Sequence, residues 1–306
     1  MSAATQFFGG GAGGDAAPAN GTDIRFTMVA MGGGGGAAYA GGGAGRLVVL
    51  ENGIVATGST LTIDIGAFGS GQPTSGFVQP GAATTVSLNT PLPNNYGYFG
   101  ITSKITAEGG GGGGDTSNDG GAGGSGGGGG AEPGVNNPSP VGGAAIPSVR
   151  PTSTGSQSGK YFHSTQSYGF PGGTAIAGNA VGATGGGAGG SGGWGLGSNG
   201  PGIILNFTGS DVEYCFGGGT NAPSPWGTNS NIPTATEYGS GGFQVNPTAP
   251  EASKSGLPGA VFIRYPTIYA EASAVSGHDT GISTSVTPGY YTYVWHDPNT
   301  PGSITF

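Results

Sequence analysis

Charge is scarce in this chain. Seven basic and fifteen acidic residues make up 7% of 306, and the net charge is −8. The basic residues (Arg25, Arg46, Lys104, Arg150, Lys160, Lys254 and Arg264) are scattered along the sequence. Without a basic cluster there is no electrostatic footprint for a phosphate backbone, so nucleic acid is not an expected partner. A single cysteine, Cys215, excludes an internal disulfide framework. Its setting, Val212-Glu213-Tyr214-Cys215-Phe216, predicts a small buried apolar residue. No window approaches the roughly 18 apolar residues of a membrane span, so no membrane insertion is expected. Residues 1–14 have neither a basic start nor an apolar run, which argues against a secretory signal. No stretch carries a helical period, and large aliphatic side chains are few.

Glycine is what the chain has instead, at 74 residues, with 22 prolines. Such a composition without a strict period is commonly low-complexity or disordered. Disordered segments, however, are rich in charge and poor in aromatics. This chain is 9% aromatic, with the rings spread along its length. The expectation is therefore an ordered fold in which backbone packing replaces side-chain packing. Glycine loses the most conformational entropy on folding, so such a fold needs dense compensating contacts.

Candidate strands are short: 23–31, 46–50, 53–56, 60–65, 100–107, 202–207, 211–216 and 260–265. Asn52-Gly53 lies between two apolar runs and predicts a hairpin turn. Four strands run directly into glycine: 26–31 into 32–36, 62–65 into 66–69, 104–108 into 109–114, and 213–216 into 217–219. A flexible linker is one reading of such tracts. Single Ala, Trp or Leu interruptions, as at Ala188, Trp194 and Leu196, favour another. An extended helix of three residues per turn, rising about 3.1 Å per residue, can pack against copies of itself when Cβ atoms are absent. Continuous over 109–130 it would span about 65–70 Å. The polar insert 115–119 predicts a turn between two runs instead.

The fold class expected is all-β with polyglycine-II or extended glycine-rich segments, short strands and no significant helix. Three parts are expected: an N-terminal arm over 1–21, a glycine-rich β/polyglycine domain over 22–266, and a small C-terminal β-module or β-layer over 267–306. In the last part, 268–274, 281–286, 290–295 and 303–306 are candidate strands. The segments 72–95, 131–170 and 220–238 are rich in Pro, Asn, Ser and Thr and are expected as surface loops.

Catalytic motifs are not expected. His278-Asp279 and His296-Asp297 stand beside turn residues and read as turn chemistry. Gly239-Ser240-Gly241 lacks the spacing of a nucleophile elbow. The glycine tracts lack the Gly-Lys-Ser/Thr and the following helix of a phosphate loop. No cofactor or metal is implied, and the chain is expected to be non-enzymatic. The candidate binding residues are aromatics and a histidine in polar surroundings: Tyr96, Tyr98, Tyr161, Phe162, His163, Tyr168 and Trp226. Rigid amphipathic rings among small polar residues suit recognition surfaces. The competing reading is that these rings cap a core short of large side chains.

Several segments resemble the glycine-rich domain proteins of tailed bacteriophage virions. The resemblance rests on strands feeding glycine tracts and on the late apolar strand Gly259-Ala260-Val261-Phe262-Ile263-Arg264-Tyr265-Pro266. It rests also on the closing Tyr290-Tyr291-Thr292-Tyr293-Val294-Trp295 and Gly302-Ser303-Ile304-Thr305-Phe306, and on the opening Thr5-Gln6-Phe7-Phe8-Gly9-Gly10-Gly11. The resemblance implies a tail-fibre, spike or adhesin role in a virion, extracellular after host lysis. The partners implied are copies of itself, a trimer by analogy, other fibre or tail proteins, and a host surface glycan or protein. Rival readings are a purely structural fibre or capsid-decoration component, a glycine-rich extracellular filament, and an ice-binding protein.

Overall fold

The apolar run at 23–31 forms strand β1 (Asp23–Met31), and it lies at the centre of the molecule. The computed structural model describes residues 23–71, 78–89, 104–115, 118–131, 139–146, 153–157, 161–176, 182–194, 198–207, 209–220, 237–243, 255–278 and 288–306. The 1–21 arm and the candidate strand 281–286 lie outside them. Among the described residues there are strands and extended segments but no helix.

Strand β1 pairs antiparallel with β2 (Leu47–Ala56) on one side and β10 (Ala260–Pro266) on the other. β12 (Tyr290–Trp295) extends the sheet beyond β10. β7 (Tyr161–Tyr168) and β6 (Ser153–Gln157) extend it beyond β2. The order of this six-stranded sheet is β12-β10-β1-β2-β7-β6. A second sheet joins β3 (Thr60–Asp64), β4 (Thr84–Leu88), β5 (Lys104–Ala107), β11 (Ala274–Ser276) and β13 (Gly302–Thr305). Its five strands run in the order β11-β13-β3-β4-β5. A short pair, β8 (Ile203–Leu205) with β9 (Val212–Tyr214), makes a third element.

Alternation decides which side chains meet. Phe26, Met28 and Ala30 join Leu61, Ile63, Val86, Ile105, Ile263, Trp295 and Ile304 in the core between the two large sheets. The intervening Val29 and Met31 turn to the other face and pack with Leu47, Val49, Phe262, Leu205, Phe207 and Tyr214. Both faces of the central strands are covered, which is why β1 and β10 read as nearly continuous apolar runs.

The Asn52-Gly53 hairpin expectation is overturned. β2 runs unbroken through both residues, and Phe26 faces Gly53 while Met28 faces Leu50. One extra residue on β2 is absorbed as a β-bulge. The loop expectations also change. β4 lies within 72–95, and β6 and β7 lie within 131–170. The C-terminal strands complete both sheets: β12 pairs with β10, and β13 pairs with β3. That segment is a layer of the main domain.

Between strands the chain leaves the sheets in glycine tracts and returns. Tract hydrogen bonds have a period of three. Gly32 and Gly35 donate to Arg46 and Gly43 of one neighbour, and Gly33 and Gly36 donate to Ala82 and Gln79 of another; Gly34 donates to Leu257 of a third. The central tract, 41–46, shows the full pattern. Its amides donate in rotation to tracts 182–187, 239–243 and 108–114, through Gly41→Ala183, Gly42→Gly242 and Gly43→Gly111. The next three amides return to the same tracts, as Ala44→Gly186, Gly45→Gly239 and Arg46→Glu108. Its carbonyls accept from three others: Gly35 and Gly32, Gly128 and Ser125, and Gly218. Six neighbours surround one tract and are addressed every third residue. Tracts of this kind have no internal hydrogen bonds, so each buried amide needs a neighbour.

At the ends of the 115–119 insert the Asn118 amide donates to the Asp115 carbonyl at 3.2 Å. Where the central tract enters β2, Arg46 is buried and bonds Glu108 through its guanidinium (Nη1–Oε2, 2.9 Å) and its amide (2.8 Å).

At most glycines of the bundle interior an added Cβ has no room. A methyl on Gly43 would fall inside 3.0 Å of the Ser125 and Gly126 backbone, and one on Gly127 would strike the Gly112 carbonyl. Backbone held on all sides cannot yield. Gly43→Ala and Gly127→Ala should each lower stability by about 1–3 kcal/mol or more. Ala122→Ser, at an exposed position, should stay within about 0.5 kcal/mol of wild type. Denaturant unfolding of the three variants checks this, and a Gly127→Ala protein as stable as Ala122→Ser would contradict the packing.

Candidate functional site

The tracts at the surface expose side chains between their glycines. In 139–146 the exposed positions include Val141 and Ala144; in 169–176 they include Pro171 and Thr174. In 189–194 they include Ser191 and Trp194, and in 198–204 they are Ser198, Pro201 and Ile204. Three residues per turn bring every third side chain to one face. Some of the interruptions that break the glycine runs face outward, while others, such as Ala145, Ala175 and Ala188, are buried.

These tracts are neighbours. Gly172 donates to Gly143 at 3.0 Å and Ala175 to Pro140 at 2.9 Å, joining the first two. Gly192 donates to Pro171 at 3.0 Å, joining the next. Gly193 donates to Ser198 at 3.2 Å, and Gly189 to Pro201 at 2.7 Å. Thr184 locks the layer from beneath: its hydroxyl donates to the Ser198 carbonyl at 3.0 Å and accepts from the Gly193 amide at 2.7 Å. Large apolar side chains are exposed along these tracts: Trp194 is 69% exposed, Val141 55%, Ile146 48% and Phe170 38%.

The aromatics singled out from the sequence have different placements. Tyr96, Tyr98 and Trp226 lie outside the described residues. Tyr161, Phe162 and His163 stand in β7, opposite Gln157, Ser156 and Gly155 of the edge strand β6. Tyr168 closes β7 opposite Leu47 and is 6% exposed, within the apolar cluster behind the central sheet. For Tyr168 the core reading applies, because strand alternation turns it onto the buried face. Sequence reasoning missed the exposed Val141, Ile146, Phe170 and Trp194.

Several titratable groups make structural contacts. Asp297 accepts from the Thr300 hydroxyl at 2.7 Å and the Asn299 amide at 2.9 Å, and these bonds hold its carboxyl below the usual range. This is the turn chemistry expected at His296-Asp297. His296 stacks on Tyr238, 5.0 Å between ring centres. Arg264 lies between the rings of Phe207 and Tyr290, at 4.8 and 4.9 Å, and burial lowers its pKa. Among the described residues no group of three His, Cys, Asp or Glu side chains could hold a metal ion.

Cys215 follows β9 at a left-handed φ of 55° and turns the chain into tract 216–219. Its thiol is fully buried, and burial pushes the pKa up. The reactive thiolate is therefore disfavoured in the native state across ordinary pH. A maleimide should label Cys215 only as the protein unfolds, with labelling tracking the denaturation curve; fast labelling of native protein would contradict the burial.

The two classes of aromatic should separate on truncation. Trp194→Ala should leave stability within about 0.5 kcal/mol. Tyr168→Ala should cost about 3 kcal/mol. Thermal melting of both variants is the check, and equal losses would overturn the distinction.

No protein-family model matches this chain, and no curated protein or solved structure matches it.

Proposed function

We propose that this chain is a non-enzymatic structural and binding protein of a bacteriophage particle, of the tail-fibre, spike or adhesin kind. The observation that carries the reading is the division of labour within the tracts. Inside, backbone bonds to backbone in three directions; at the surface, residues such as Val141, Pro171, Ser191 and Trp194 display side chains. A body built this way is a rigid platform, and rigid presentation of side chains lowers the ordering cost of binding. The strand-to-tract junctions and aromatic closing strand that resemble phage glycine-rich proteins suggest the biological setting. The partners proposed are other fibre or tail proteins and a host surface glycan or protein.

The aromatic-bearing segments are the proposed receptor contacts, through Tyr161 and Trp226. Ala substitution at either should reduce particle adsorption to host cells at least several-fold while the melting temperature holds. Adsorption and melting measured on the same variants distinguish contact from core. Normal adsorption by both, with the protein located in the particle by antibody labelling, would leave a purely structural virion component. Absence of the protein from purified particles would reject the virion setting.

A further inference from the structure

Strand β13 enters the second sheet between β11 and β3, antiparallel to both. Its two inward positions are Gly302 and Ile304, so one side chain reaches the core from within the strand. Phe306 follows just beyond it, against Phe26 and Tyr265 at 5.8 and 5.4 Å between ring centres. Gly302 lies against the Trp295 ring, where an added Cβ would meet Cδ1 at 2.4 Å. The turn joining β13 to β12 is exposed at Asp297, Asn299, Thr300 and Pro301. On its other side β13 aligns β3, which runs on into tract 66–71. That tract is tied to its neighbours by Gly69→Gly34, Ala82→Ala67, Gly256→Gly69 and Gly259→Gly66. It is not among the six neighbours of the central tract 41–46.

We infer that β13 is a latch: seated, it holds β3 and tract 66–71 in place, and it can release them while the central tract stays bonded. Three features support a unit that opens by itself. The strand is four residues long and brings little apolar surface, which marks the low end of local stability. It hangs from an exposed turn and belongs to the second sheet alone. Among the described residues it is the only partner strand of β11, so β11 is freed with it. The bonds that weaken on release are those reaching 66–71 and the closing pair, Phe306→Ser59 and Gly58→Phe306. The bonds of 41–46 to its own neighbours involve none of these residues except Gly34's tract, 32–36, which β1 anchors independently. Release turns β3 into a sheet edge, the form in which a strand from another chain can pair. The inference holds whether or not the chain belongs to a virion.

Native-state hydrogen exchange of the full chain tests it. The amides of Gly58, Gly69, Gly256, Gly259 and Phe306 should exchange as one group, at least about tenfold faster than those of Gly43 and Gly127. A cross-link should abolish the difference. Thr60 and Thr305 face each other across β3 and β13 with their hydroxyls 2.9 Å apart, so Thr60→Cys with Thr305→Cys places two thiols within disulfide reach. Oxidation of that double variant should slow the group to the rates of Gly43 and Gly127, and reduction should restore the gap. Exchange of the group no faster than Gly43 and Gly127 in the wild type, or a gap that survives the disulfide, would overturn the inference. If the double variant fails to fold or to oxidise, the wild-type comparison decides alone.

Discussion

Close contact between two backbones with no Cβ between them governs this fold. An extended tract with three residues per turn points its amides in three directions and satisfies none of them internally. Tract 41–46 has six neighbours around it, and its glycines let their backbones approach where a Cβ would clash. Each hydrogen bond contributes modestly, about 0.5–1.5 kcal/mol net. The lattice must therefore be nearly complete to offset the entropy glycine loses on folding.

The sheets solve the problem of holding such tracts in register. Strands β1, β3, β5 and β9 each run into a tract, and tract 41–46 runs into β2, so the spacing of strands presets the spacing of tracts. The apolar residues are concentrated where this alignment is fixed: Phe26, Ile63, Ile263 and Trp295 clamp the two large sheets, and Phe207, Tyr214 and Phe262 secure the opposite face. The Arg46–Glu108 pair joins two tracts at the seam between sheet and bundle, where an apolar core gives way to a backbone lattice. A few large side chains thus organise a much larger volume of glycine.

The same geometry relocates the surface available for recognition. On sequence grounds the polar aromatic segments are the place for side-chain chemistry, and the tracts are inert spacers. Tyr168 is instead part of the core, while Trp194, Val141 and Ile146 stand out from the tracts. A period of three makes a glycine bundle a display surface wherever its outer positions are not glycine. Turn chemistry at Asp297 and burial of Cys215 were legible because both depend on immediate neighbours.

Local chemistry alone was enough for the all-β class, the strands β1, β10 and β12, and the four junctions where strands become glycine. These follow from alternation, φ freedom and polarity within a few residues. Other features needed partners distant in sequence. Asn52-Gly53 became a bulge and not a turn because β1 offered a continuous partner on both sides of it. β4, β6 and β7 became strands despite their Ser, Thr and Gln content because existing sheet edges supplied the hydrogen bonds their side chains could not predict. The tract lattice lay furthest from reach. Its bonds join residues far apart in sequence, and glycine, having no side chain, leaves no local mark of which neighbour it will meet.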